Sequence, residues 1–191
     1  MEIKERQQKK HILAIVGPKH VGKSTVGRLL AKELGAAFRD LDDCVQDDSG
    51  KSPRELYMEG AEHFRAQEAA SLEKLLAENG DSRLVLATGG GIVDNPPAWE
   101  RLRKRCLLVL LDLDAKGAFE RILESAREKG LPSFLRTDNP EETHRALHDS
   151  RMTRYRSAAV IRIPVAGKSA AENAQSAYRL LCDANMLDLE D

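Results

Sequence analysis

The sequence predicts an α/β fold with a mostly parallel central sheet flanked by helices on both faces, and three observations carry that prediction. Short, wholly apolar runs recur along the chain, longer segments of helical period separate them, and a glycine-rich loop joins the first run to the first helix. A strand of a parallel sheet is covered on both faces, so it needs apolar side chains at every position; an amphipathic helix needs them only every three or four residues.

The elements follow in order. His11 to Val16 is an apolar run ending at Gly17, the expected first central strand. From Lys23 to Leu34 the residues Val26, Leu29, Leu30 and Leu34 fall at helical spacing, and Gly35 stops the segment. Phe38 to Asp42 reads as a short extended segment at the end of a second strand. Leu84 to Ala87, Cys106 to Leu111 and Val160 to Ile163 are further expected strands. Between and after them, helical patterns run over 60–79, 114–129, 141–158 and 169–181. In the first of these, Phe64, Leu72, Leu75 and Leu76 form a core-facing stripe. Arg101, Arg103, Lys104 and Arg105 sit before the Cys106 strand, where positive charge suits a helix C-terminus. Residues 129–140 lack any period and are broken by Gly130, Pro132 and Pro140, as expected of a mobile lid.

The expectation is a frayed N-terminus over residues 1–10 and a single domain over 11–191. Hydrophobic residues make up 41% and charged residues 32% of 191, a balance suited to a globular chain. A net charge of -1 supplies no basic field, so no nucleic-acid or membrane partner is expected. Cys44, Cys106 and Cys182 are scattered and read as reduced thiols. With no apolar leader, the expected location is the cytoplasm and the expected state a monomer.

Gly17 to Ser24 satisfies the pattern GxxxxGK[ST], and it lies between a buried strand and a helix, the context that a phosphate-binding P-loop requires. Backbone N–H groups of such a loop curl around phosphate oxygens, and the helix N-terminus adds partial positive charge. Gly17, His20, Val21, Gly22, Lys23, Ser24 and Thr25 are therefore the expected ATP-binding residues. Lys23 reaches the β- and γ-phosphates, and Ser24 holds Mg²⁺. The fold prediction sharpens to a P-loop NTPase-like domain, but the loop is silent on what receives the phosphate.

Asp40 and Asp42 supply a carboxylate pair. Asp40 suits the metal and Asp42 suits a hydroxyl, whose proton it can take. Phe38-x-Asp40-x-Asp42, Gly50, Gly60, Phe64-Arg65-x-x-Glu68, Thr88-Gly89-Gly90-Gly91 and Arg151-x-x-x-Tyr155-x-x-x-Ala159 then follow in register. With the P-loop, this series resembles the shikimate kinases over residues 11–181. The resemblance implies an ATP- and Mg²⁺-dependent kinase acting on shikimate. Asp42, Arg65, Gly89, Gly90, Gly91 and Arg151 would bind the acceptor, Asp42 would act as base, and Glu68 would hold Arg65. Paired arginines suit a carboxylate, and glycine amides suit a polyhydroxy ring.

Three positions depart from the family pattern. The lid reads Leu131-Pro132-Ser133-Phe134-Leu135 without the usual arginine, His20 replaces a glycine, and Ala61 replaces a glutamate. An arginine that balances charge on a transferring phosphoryl group is worth roughly 10³ to 10⁵ in rate; Arg136 and Arg127 are the candidates to replace it, ahead of Lys129, and Arg136 is the expected substitute, swinging in on lid closure. The altered lid leaves two alternatives open: a kinase of another hydroxylated carboxylic acid, or a catalytically weak module that senses its ligands.

Overall fold

The computed structural model of the chain describes residues 12–79 and 82–186. The expected frayed segment 1–10 and His11 lie outside the described residues. Five strands, β1 (Ile12–Val16), β2 (Ala37–Asp40), β3 (Leu84–Ala87), β4 (Cys106–Asp112) and β5 (Ile161–Pro164), form one parallel sheet in the order β2-β3-β1-β4-β5.

Eight helices cover it: α1 (Lys23–Glu33), α2 (Leu41–Ser49), α3 (Pro53–Glu59), α4 (Ala61–Glu78), α5 (Pro96–Arg105), α6 (Ala115–Lys129), α7 (Pro140–Ala158) and α8 (Ala170–Asp183). The alternation of side chains along β1 divides the interior in two. Ile12, Ala14 and Val16 point into one core, with Leu41, Leu72, Leu76, Trp99, Met152 and Tyr155. Leu13 and Ile15 point into the other, with Val26, Leu30, Ala118, Ala177 and Leu181. Each fully buried leucine contributes about 1.5–3 kcal/mol of transfer free energy, so the two-sided burial of β1 anchors the loop that follows it.

One expectation is corrected. Asp40 and Asp42 do not share an extended segment, because β2 ends at Asp40 and Asp42 lies in the first turn of α2. Asp40 is the helix N-cap, accepting a hydrogen bond from the Asp42 amide at 3.1 Å, which stops the strand where the helix begins. A 3-10 turn over Ser133–Leu135 buries Leu135 completely and carries Phe134 to a cleft wall. That anchoring by a single apolar residue has no periodic signature in sequence.

Candidate active site

The C-terminal ends of β1, β2 and β3 bring the site together at the sheet's topological switch, where neighbouring strands β3 and β4 leave β1 on opposite sides. The loop after β1 turns into α1 at Gly22, whose φ of 97° is readily reached only by glycine. His20 sits nearby at φ 59°, the left-handed region. Histidine adopts that region more readily than most side chains, which reconciles it with a position where the family pattern is expected to carry glycine. Its backbone thus helps shape the loop, while its side chain is on the exposed surface.

Lys23 is 8% exposed, and its Nζ donates to the carbonyls of Gly17 (3.1 Å) and Pro18 (2.7 Å). Burial lowers its pKa to about 8, against the opposing pull of Asp42 and Asp40. Ser24 Oγ donates to Asp40 Oδ2 at 2.5 Å, so one carboxylate both caps α2 and meets the P-loop hydroxyl. These hard oxygen donors beside the phosphate loop suit Mg²⁺, which takes one or two protein oxygens and completes its shell with water and phosphate. No cluster of three or more His, Cys, Asp or Glu side chains that could hold a metal ion occurs among the described residues.

Asp42 faces the glycines that follow β3. A Cβ added at Gly89 would stand 3.3 Å from Asp42 Oδ1 and 3.4 Å from Glu68 Oε1. One at Gly90 would fall 2.7 Å from the Lys19 amide nitrogen, closer than backbone tolerates, so Gly90 is needed for the P-loop to approach. Burial pushes the Asp42 carboxyl up, with the Asp40 charge adding to the rise and Lys23 opposing it.

Arg151, on α7, places Nη2 3.3 Å from the Cβ position of Gly91. Both its Nε (2.7 Å) and its Nη2 (2.6 Å) meet Asp94 Oδ2. Arg154 reaches the same carboxylate and the Val93 carbonyl, and Tyr155 donates to the Gly90 carbonyl at 3.2 Å. Helix α7 is thereby fixed to the glycine turn that follows β3.

The expected Glu68–Arg65 pairing is not what the side chains make. Arg65 pairs with Glu62, one turn earlier on α4, and is partly exposed. Glu68 is buried and accepts from Asn95 Nδ2 at 2.8 Å; the same Nδ2 lies 2.8 Å from the Arg65 carbonyl. Glu68 thus supports the start of α5 and the backbone at Arg65, and its carboxyl is pushed up to about 7, first by burial.

Arg136 is exposed, with Nε donating to the Leu131 carbonyl at 3.3 Å, and it does not join the other predicted residues. Sequence reasoning missed Asp94, Asn95, Arg121 and His144. Arg121, on α6, donates to the Val21 carbonyl at 3.1 Å and ties that helix to the P-loop. Only the register of α6 against the loop reveals it, since an isolated arginine on a helix has no distinguishing spacing.

The described helices include none long and apolar enough to cross a membrane. A family profile described as shikimate kinase matches residues 19–182. The shikimate kinase of Thiobacillus denitrificans is 37% identical over 164 residues, covering 85% of this chain and 86% of the relative. That of Vibrio parahaemolyticus is 34% identical over 173 residues, covering 90% and 96%. Among solved structures, shikimate kinase from Acinetobacter baumannii in complex with shikimate superposes with a TM-score of 0.79 at 32% identity, covering 94% of this chain and 95% of that one. The Aquifex aeolicus shikimate kinase gives 0.75 at 28%, covering 92% and 98%. With the P-loop, the Asp40–Asp42 turn, the three-glycine turn and Arg151 assembled at one sheet edge, and relatives matching over most of its length, the chain belongs to the shikimate kinase family.

Proposed function

We propose that this chain transfers the γ-phosphoryl group of ATP to a hydroxyl of shikimate, yielding shikimate 3-phosphate and ADP with Mg²⁺ as cofactor. The observation that carries the proposal is that the turn from Gly89 to Gly91 has Asp42 Oδ1 against Gly89, the Lys19 backbone of the P-loop against Gly90 and the Arg151 guanidinium against Gly91. The similarity to a relative solved with shikimate supports the choice of acceptor.

In this reading Arg151 takes the acceptor carboxylate while Asp94 holds its guanidinium by the other edge. Arg65 is assigned to the same carboxylate, and the backbone of Gly89 to Gly91 to the ring hydroxyls. Asp42 orients the attacking hydroxyl and accepts its proton as the new O–P bond forms and the bond between the β-bridging oxygen and the γ-phosphorus breaks, leaving ADP. Its raised pKa makes it a stronger base than an exposed aspartate. Lys23 exchanges its loop carbonyls for phosphate oxygens. Ser24 and Asp40 hold the cation, which neutralises charge on the phosphates when bound. Arg136 is assigned to the closing lid. The chain acts as a cytoplasmic monomer, with no nucleic-acid or membrane partner.

A coupled assay of ADP release tests the proposal. Release should depend on shikimate and Mg²⁺ and fall roughly 10²- to 10⁴-fold in Asp42→Asn, the usual worth of a general base. No release at millimolar shikimate, or equal release with unrelated hydroxy acids, would sink the assignment of the acceptor.

A further inference from the structure

Beneath the Ser133–Leu135 turn, α7 presents two imidazoles one turn apart, His144 and His148, each only 5% exposed. Their surroundings differ. His148 is satisfied, with Nε2 3.0 Å from the Leu113 carbonyl and Nδ1 3.4 Å from an Asp149 carboxylate oxygen. His144 is held between the Phe119 ring (5.3 Å) and the His148 ring (5.6 Å), yet its Nδ1 is buried without a hydrogen-bond partner. Buried side-chain nitrogens almost always have one, and an orphan in a cleft wall marks a place for a ligand atom.

His144 lines the same cleft as Pro18, Lys19, Gly90, Phe134 and Arg151. Two of those residues are cations, one from the P-loop and one from α7, so the space between them favours an anion. The lid contributes Phe134 there, and Arg136 is turned to the Leu131 carbonyl on the exposed surface.

We propose that His144 is a ligand-binding residue of this cleft, hydrogen-bonding through its imidazole to an oxyanion of the acceptor, either its carboxylate or the phosphoryl group it receives. The inference rests on reading this cleft as the acceptor site. It gives the orphan nitrogen a partner and sets a polar contact beside Phe134 on the lid side of the cleft.

The charge of His144 responds to what is bound. Burial first, then His148 and Arg151, hold its pKa below the ordinary value, with Asp149 opposing them. Lys19 adds positive charge from the P-loop side, while α6 and the lid face it with Phe119, Ile122 and Phe134. The unliganded ring is therefore neutral near pH 7. An arriving anion raises its pKa, and the ring takes up a proton. Anion affinity accordingly strengthens as pH falls through the pKa of the complex, and the extra affinity is lost as pH rises through it.

The test compares wild type with His144→Phe, which keeps the stacked ring and removes the nitrogens, and His144→Gln, which keeps a hydrogen bond without a titrating charge. Steady-state kcat and KM for shikimate are measured from pH 6 to 8.5. ¹⁵N-detected imidazole resonances of the wild type are followed on adding shikimate alone and inorganic phosphate alone. His144→Phe should lose roughly tenfold to a hundredfold in kcat/KM at pH 6, the worth of one charge-assisted hydrogen bond, together with the pH-dependent limb. It should also be at least as stable to heat as wild type, because the unpartnered nitrogen is gone; a purely structural histidine would give the opposite. His144→Gln should recover activity at pH 8 but not at pH 6. A His144 resonance that moves with shikimate assigns the carboxylate, and one that moves with phosphate assigns the phosphoryl group. Identical kinetics in wild type and His144→Phe, or resonances unmoved by both anions, overturn the proposal. Wild type that is inactive on shikimate while His144 responds to phosphate overturns the acceptor assignment and leaves the oxyanion site standing. The resonance measurement decides alone where a variant does not fold.

Discussion

Replacing Glu68 with Gln removes one proton-binding site from the interior while preserving shape and the Asn95 contact, since the glutamine carbonyl still accepts from Asn95 Nδ2. Glu68 is 2% exposed, and burial dominates the rise of its pKa from 4.5 to about 7, with Asn95 opposing and the Asp42 charge adding. In the unfolded chain the group loses its proton near 4.5. Between the two values the folded chain keeps a proton that the unfolded chain has released. Its contribution is therefore complete below 4.5 and lost as pH rises through about 7. At about 1.4 kcal/mol for each pH unit, the loss across this window is roughly 3 kcal/mol. Urea unfolding of wild type and Glu68→Gln, stepped from about pH 4.5 to 8.5, measures it through the linear dependence of stability on denaturant. The stability of wild type minus that of the variant should fall by roughly 2–3 kcal/mol across the range. Parallel pH profiles would refute the reasoning, for they would mean that Glu68 titrates alike folded and unfolded.

Lys23, lowered to about 8 chiefly by burial, should take up a proton when a nucleotide triphosphate supplies negative charge to its ammonium. Calorimetry of ATP binding at pH 8.5 in two buffers of different ionisation enthalpy reads that uptake; Lys23→Arg, permanently charged, should show none from this group. Equal heats for wild type in both buffers would dispose of the idea. Arg136→Ala should lower kcat at least tenfold with ATP and shikimate saturating, as expected of a residue that balances phosphoryl charge. A change under twofold would remove Arg136 from the reaction and leave the lid without a catalytic cation.

Much of the architecture was legible because its causes are local. The strand at Leu84–Ala87 agrees with its apolar run to the residue, and the helices α4, α6, α7 and α8 lie within about two residues of their periodic segments, the usual uncertainty of helix ends. Helices α2 and α3 were not anticipated. Helix α2 is short and rich in aspartate, and α3 depends on the capping box of Ser52 and Glu55. Around the candidate site the backbone was legible where a motif fixes it, as at Gly22 with its φ of 97° and at Gly90, which packs against the Lys19 backbone. The partnership of Glu68 was not legible, because Asn95 lies on a different element and its amide outcompetes Arg65, which finds Glu62 one turn away.

The sequence by itself determined the donor side of this protein. A loop of Gly17 to Thr25 between a buried strand and a helix has one efficient use, because the number and direction of its free N–H groups are set by adjacent residues. It also determined the parallel sheet, since runs such as Cys106 to Leu111 are stable only when covered on both faces. Tertiary structure decided the rest. It chose Asp94 as the anchor of Arg151, turned Arg136 outward while Leu135 went in, and left His144 buried with an unpartnered nitrogen in the cleft wall. Those outcomes depend on which side chains from distant segments reach the same small volume first, and burial there alters their charge, a competition that no spacing along the chain records.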